Sequence, residues 1–377
     1  MDLMDNTIML GGPVKMHPRV LRAMSVPARA HRDPDFIEIL RETKELLQYV
    51  FQSKRDVALL FGSGTASMDA AVSNIVKKGD KMLTIHNGKF GHRFYEIGNT
   101  YAEADELAVE WGKAPDIDAV AEKLESGDYR AVSVCMNESS TGLTNPVKEI
   151  GKLVRKHDAI YIVDGITAVG GLDVKPEEIE ADILLLGSQK CVAGPAGLSA
   201  VSVSERYKER MYDDTVYYLN LKKHLDKLMQ KNDTPFTSAI PLVQGFHEAL
   251  RIVREEGIEA RIKRTRGMAE ATRAAVEALN LEIFPDKRYA SDTITAIRYP
   301  DGISDSDFRG MLKERYGIVI AGGQEHIKGK IFRIGHMGQV RMVELLGTFG
   351  AIEATLRHLG YTNFTPGASL AAIEDYM

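Results

Sequence analysis

Short apolar runs alternate with amphipathic stretches over most of the first 250 residues. Val57 to Phe61 (VALLF) is apolar throughout and stops at Gly62, and from Thr65 to Val76 the apolar positions Ala66, Ala70, Ala71, Ile75 and Val76 recur near helical spacing. The pattern predicts strand, glycine turn, helix. It returns at Ala131 to Met136, in a helix from Val147 to Lys156, and at Ala159 to Val163 and Asp182 to Leu186. Such alternation predicts an α/β fold with a doubly wound, mostly parallel sheet.

Beyond Leu242 the period becomes helical to Ala278, with a break near Gly257. Short β-rich runs follow at Thr293 to Tyr299, Ile318 to Ala321 and Lys330 to Ile334, and a last helix is expected around Val343 to Leu359. The expected division is a large domain over residues 1–250, N-terminal segment included, and a smaller α+β domain over 251–377. Seven Lys or Arg lie between Arg251 and Arg273, but Glu255, Glu256, Glu259 and Glu270 are interspersed, which reads as a solvated helix with intrahelical pairs.

A length of 377 residues agrees with two or three domains, and a hydrophobic fraction of 44% excludes a mainly disordered chain. The formal charge of −5 offers no broad positive field, so nucleic acid is not expected as a partner. Cys135 and Cys191 form neither a zinc spacing nor a redox pair, which fits a reducing cytoplasm. The N-terminus has no signal-peptide pattern, and no apolar run reaches the roughly 18 residues of a membrane span. No histidine pair has the HExxH spacing, so no metal site is expected.

Three places carry candidate chemistry. Gly62-Ser63-Gly64-Thr65 joins a strand to a helix, where free N–H groups and the helix dipole suit a phosphate, although the motif lacks the third Gly of a dinucleotide fingerprint and the Lys of a P-loop. Asp164 ends an apolar strand at the sheet edge where ligands of open α/β sheets bind. Lys190 follows another such strand at the same edge, where partial desolvation would lower its pKa and make it an amine nucleophile. A phosphate cradle, a carboxylate for a pyridine nitrogen and a Schiff-base amine are together what pyridoxal 5'-phosphate requires.

The chain resembles the class V aminotransferases of fold type I, specifically the alanine:glyoxylate and serine:pyruvate aminotransferase group. The likeness runs from Leu10-Gly11-Gly12-Pro13 to Arg333-Ile334-Gly335 and is most specific in GSGTASMDAA (62–71), NGKFGHR (87–93), NESSTG (137–142), VDGITAVGG (163–171), GSQKCVAGPAG (187–197) and GKIFRIGHMG (329–338). The resemblance implies a homodimer with shared active sites. It implies that Lys190 carries the cofactor and Asp164 meets its ring nitrogen, as the catalytic residues. Ser63, Gly64 and Thr65 fall on the phosphate cradle, Gln189 lies just before the lysine and is expected to reach the cofactor too, Ser139 falls near the ring hydroxyl, and Phe90 at the ring-stacking place that related enzymes often give to Trp. Thr237 aligns with a threonine that reaches the phosphate of the neighbouring subunit, while Thr234 stands where some relatives have Tyr. Arg333 aligns with the arginine that holds the substrate α-carboxylate, and Gly12 falls at the substrate site. His31, Arg32, Arg93 and His336 are expected to pack around the pocket or at an interface, with Arg32 and Arg93 as the candidates for a second substrate carboxylate.

The activity expected is ping-pong transfer of an amino group from alanine, serine or aspartate to glyoxylate, pyruvate or 2-oxoglutarate. Two alternatives stand beside it. A cysteine desulfurase or related lyase would need a mobile catalytic cysteine, and the loop Ala321 to Lys328 has none. A non-catalytic binding protein on the same scaffold would have no reason to keep Lys190, Asp164 and Arg333 together.

Overall fold

Each central strand buries both faces, which is why the runs are continuously apolar. In Ile160–Asp164, Ile160 and Ile162 enter one hydrophobic cluster while Tyr161 and Val163 enter another, as the two-residue period of a strand requires. Ile183 and Leu185 part from Leu184 and Leu186 in the same way. The computed structural model in which this is seen describes residues 6–27, 30–213 and 216–377. The first five residues, part of the N-terminal stretch considered above, lie outside them.

The large sheet has seven strands, in the spatial order Asp56–Phe61, Leu198–Val203, Ile183–Gly187, Ile160–Asp164, Ala131–Cys135, Lys81–His86 and Glu103–Ala108. All run parallel except Leu198–Val203, which is antiparallel to both its neighbours. The expected doubly wound, mostly parallel sheet is therefore present, with one reversed strand that periodicity did not reveal. The helices Gly64–Ser73 and Val147–Lys156 follow their strands as expected.

A second sheet of four strands has the order Thr7–Met9, Ile318–Gly322, Ile331–Gly335, Ile294–Arg298. Its first strand comes from the N-terminal segment that was expected with the large domain, and pairs parallel to Ile318–Gly322. The chain thus visits the smaller sheet before building the larger one, and Gly11 and Val14, just after that strand, bond to the turn that carries Lys190. Nor does residue 250 mark a break, because the helix Ile240–Glu256 runs through it before a second helix begins at Ile258.

The basic cluster needs a correction. Arg261 is only 1% exposed, donating through Nε to Gly170 O at 3.0 Å and through Nη2 to Cys191 O, and it pairs with Glu256 of the preceding helix at 2.6 Å. Arg266 and Arg273 reach Asp292 outside their helix. The mixture of signs is interspersed along the sequence, but these partners lie across helix boundaries. Among the described residues no helix is long and apolar enough to cross a membrane.

Candidate active site

Five strands of the large sheet end at one crevice, and each delivers a residue there. The turn after Ile183–Gly187 brings Gln189 and Lys190, Ile160–Asp164 ends on Asp164, Ala131–Cys135 leads to Ser139, Lys81–His86 leads to Phe90, and Asp56–Phe61 leads to Ser63, Gly64 and Thr65. All eight of these line a cavity of about 180 Å³. Carboxyl ends of parallel strands are where an open sheet leaves such a crevice.

Lys190 is largely withdrawn from solvent, which lowers its pKa although the Asp164 charge opposes the shift. Its Nζ donates to Gly11 O at 2.8 Å, and Val14 N donates to Gln189 O at 3.1 Å, so the N-terminal segment fixes the lysine turn from above. Arg261, through Cys191 O, fixes it from below. Asp164 accepts from Ile166 N at 2.7 Å, and burial pushes its carboxyl up to about 6. A buried carboxylate with so little compensation would be drawn to a cationic partner.

Glu138, which the motif NESSTG contained but whose role the sequence did not disclose, organises the opposite wall. Its fully buried carboxylate accepts from Phe90 N at 3.1 Å, Gly91 N at 2.8 Å and both the N and Oγ of Ser140. Ser140 Oγ in turn accepts from Lys89 N at 3.0 Å. Gly88, at the start of helix Lys89–Tyr101, has no side chain to cap it, and a Cβ there would lie 2.3 Å from Glu138 Cγ. The carboxylate thus satisfies the orphan N–H groups of the helix that carries Phe90 and Arg93. Arg93, expected around the pocket or at an interface, lines the cavity and donates to Thr65 Oγ1 at 3.0 Å.

Arg333 is 8% exposed on the strand Ile331–Gly335. Its Nε and Nη2 donate to Gly322 O at 3.0 and 2.7 Å, and Nη1 donates to Ser139 O at 2.7 Å. A guanidinium has five N–H donors, so one remains on each terminal nitrogen, the pair that a carboxylate would take. Burial depresses its pKa to about 10, which leaves it charged at neutral pH. Gly12 has φ +101°, and a Cβ there would lie 2.3 Å from Lys190 Cδ and 2.7 Å from Nζ, so its close neighbour is the lysine.

The remaining candidates are dispersed. Thr237 is exposed and does not line the cavity. Thr234 Oγ1 is engaged locally with Phe236 O and Ser238 Oγ, both at 2.7 Å. His336 is fully buried against Thr295 Oγ1 at 3.0 Å, and Arg32 faces Asp233 at 3.9 Å with most of its side chain in solvent. Neither lines the cavity, and nor does His31.

The model of the family "Aminotransferase class-V" matches residues 21–342. The chain belongs to the class V aminotransferases. An uncharacterised aminotransferase of Methanocaldococcus jannaschii is 45% identical over 98% of this chain and 97% of its own length. A serine–glyoxylate aminotransferase of Methylorubrum extorquens is 32% identical, with 99% and 96% covered. The crystal structure of a ureidoglycine–glyoxylate aminotransferase from Bacillus subtilis superposes with a TM-score of 0.94 at 32% identity, covering 98% of this chain and 97% of that one.

The crevice of this class V aminotransferase suits pyridoxal phosphate on its own geometry. It offers an amine with lowered pKa, a buried carboxyl near neutrality, and Gln189 Oε1, which is buried with no partner among the described residues. It does not suit cysteine chemistry. Cys135 and Cys191 are both buried, and burial pushes the Cys191 thiol up to about 12, where the thiolate is scarce at neutral pH. Gly12→Ala is expected to displace the Lys190 side chain and strain the backbone by about 1–3 kcal/mol. The check is borohydride trapping of cofactor on Lys190, which should fall at least tenfold in the variant; wild-type trapping would show that the N-terminal segment can yield.

Proposed function

We propose that this aminotransferase moves the amino group of a small L-amino acid, alanine or serine and, as a third candidate, aspartate, to glyoxylate, pyruvate or 2-oxoglutarate, with pyridoxal 5'-phosphate as cofactor. The observation that carries the reading is the meeting of Lys190 and Asp164 at adjacent strand ends. The free donor pair of Arg333 adds a seat for an α-carboxylate, and the likeness to a serine–glyoxylate and a ureidoglycine–glyoxylate aminotransferase supports glyoxylate as acceptor.

When bound, pyridoxal phosphate supplies an electron sink that lets a substrate Cα–H bond ionise. The chain supplies the rest. Arg333 would hold the α-carboxylate in a bidentate pair and so aim the Cα–H bond. Lys190 Nζ would take that proton and return it, a role that its lowered pKa favours. Asp164 would hold a proton on the ring nitrogen, Phe90 would cover the ring, and Ser139 would approach its hydroxyl. Ser63, Gly64 and Thr65 would take the phosphate, and Gln189 would reach the cofactor beside the lysine. Exposed Thr237 would complete the phosphate cup of a second copy, in a cytoplasmic homodimer with shared sites.

A screen of single half-reactions tests the substrate class: the cofactor-loaded enzyme is mixed with one amino acid at a time and its visible absorption followed. Alanine or serine should bleach the band fastest, and glyoxylate or pyruvate should restore it. Absence of bleaching by any amino acid would overturn the proposal.

A further inference from the structure

We infer that Arg93, together with Thr65, is a clamp for the phosphate group of the cofactor, an inference that rests on the pyridoxal phosphate reading above. Phe90 and Arg93 stand three residues apart on the helix Lys89–Tyr101 and so share a face, and both line the cavity. The guanidinium lies over the Phe90 ring, 5.1 Å from Cζ to the ring centroid, and Nη1 donates to Thr65 Oγ1 at 3.0 Å. These two contacts hold its charge at the first turn of the helix Gly64–Ser73.

That charge has no counter-ion. Among the described residues no carboxylate lies within 4.0 Å of the Arg93 guanidinium, whereas most arginines of this chain are paired with an acid. Four of its five donors remain beyond the bond to Thr65. The N–H groups of Gly64 and Thr65 have no acceptor among the described residues either. Because Thr65 Oγ1 already accepts from Arg93, its own proton is free to be donated elsewhere. A guanidinium, a hydroxyl and two N–H groups at a positive helix end thus converge without an anion, a donor set that matches the several oxygens of a phosphate monoester. The substrate α-carboxylate has its own seat at Arg333.

The test compares pyridoxal phosphate with pyridoxal, which lacks the phosphate, by titrating the cofactor-stripped full chain and following visible circular dichroism. Arg93→Gln should weaken pyridoxal phosphate binding by roughly tenfold to hundredfold and pyridoxal binding by less than about twofold. Arg93→Lys should recover part of the loss, because an ammonium keeps the charge but not the fork. Equal losses for the two compounds, or no loss for either, would overturn the assignment. So would a defect confined to the Michaelis constants of dicarboxylic amino acids, which would place Arg93 on the substrate side. If the wild-type chain binds neither compound, the cofactor reading itself fails, and that outcome is separable from the others.

Discussion

Lys190→Ala should leave a folded chain with turnover reduced at least about 10⁴-fold, since proton transfer by a positioned base alone is worth about 10² to 10⁴ and the covalent anchor is lost as well. The fold should tolerate the change. The amine's bond to Gly11 O is lost, but so is a desolvated cation, and the two effects oppose each other. Borohydride reduction and peptide mapping of the wild type give the direct check: cofactor found on any lysine other than Lys190 would defeat the assignment. A mixing experiment extends it to the proposed dimer. If Thr237 serves the neighbouring site and Thr237→Ala silences it, exchange between Lys190→Ala and Thr237→Ala homodimers creates one site with both lesions and one with neither, and activity should return. With exchange verified and Thr237→Ala inactive by itself, no recovery would mean that Thr237 acts within its own subunit.

Asp164→Asn should separate stability from activity. In the cofactor-free chain, burial holds the Asp164 carboxyl protonated up to about 6, against an ordinary value of 3.8. Between those values the folded chain binds more protons than the unfolded one, so the group's contribution to stability falls as pH rises through that window and stays unfavourable above it. Asparagine keeps an acceptor for Ile166 N and cannot ionise. The cofactor-free variant should therefore gain up to about 3 kcal/mol over wild type at pH 8 and nothing near pH 3.5. Thermal melts at the two pH values check this. The loaded variant should lose at least one to two powers of ten in single-turnover rate, because a neutral amide cannot hold a cationic ring nitrogen. Wild-type rates would move the role away from Asp164, and a variant no more stable at pH 8 would mean that the carboxyl is better solvated than its burial implies.

The strand ends and the residues that follow them were legible in the sequence for a local reason. Strands buried on both faces must be apolar throughout, so a charged residue closing such a run marks a sheet edge. Asp164 after Ile160 to Val163, and Lys190 after Leu184 to Leu186, could be read without knowing any partner. The helices Ile240–Glu256 and Ile258–Ala278 were readable on similar grounds, through helical period and the interruption at Gly257.

Partners far apart along the chain left no comparable signal. Leu198–Val203 has the same apolar character whichever way it runs, and only pairing with Asp56–Phe61 and Ile183–Gly187 makes it antiparallel. The place of Thr7–Met9 beside Ile318–Gly322 likewise depends on a contact spanning most of the chain. Glu138 and Arg261 looked like ordinary polar residues, and Arg93 could be placed near the pocket but not given its partners, because their sequence neighbours do not hold them. Thr65 is 28 residues from Arg93, Phe90 is 48 from Glu138, and Gly170 is 91 from Arg261. By itself, therefore, the sequence determined the alternating elements and which residues cap them, because periodicity records burial one residue at a time. Tertiary structure decided which charges are buried, what satisfies them and which remain without a counter-ion, because those properties belong to pairs of groups that only the folded chain brings together.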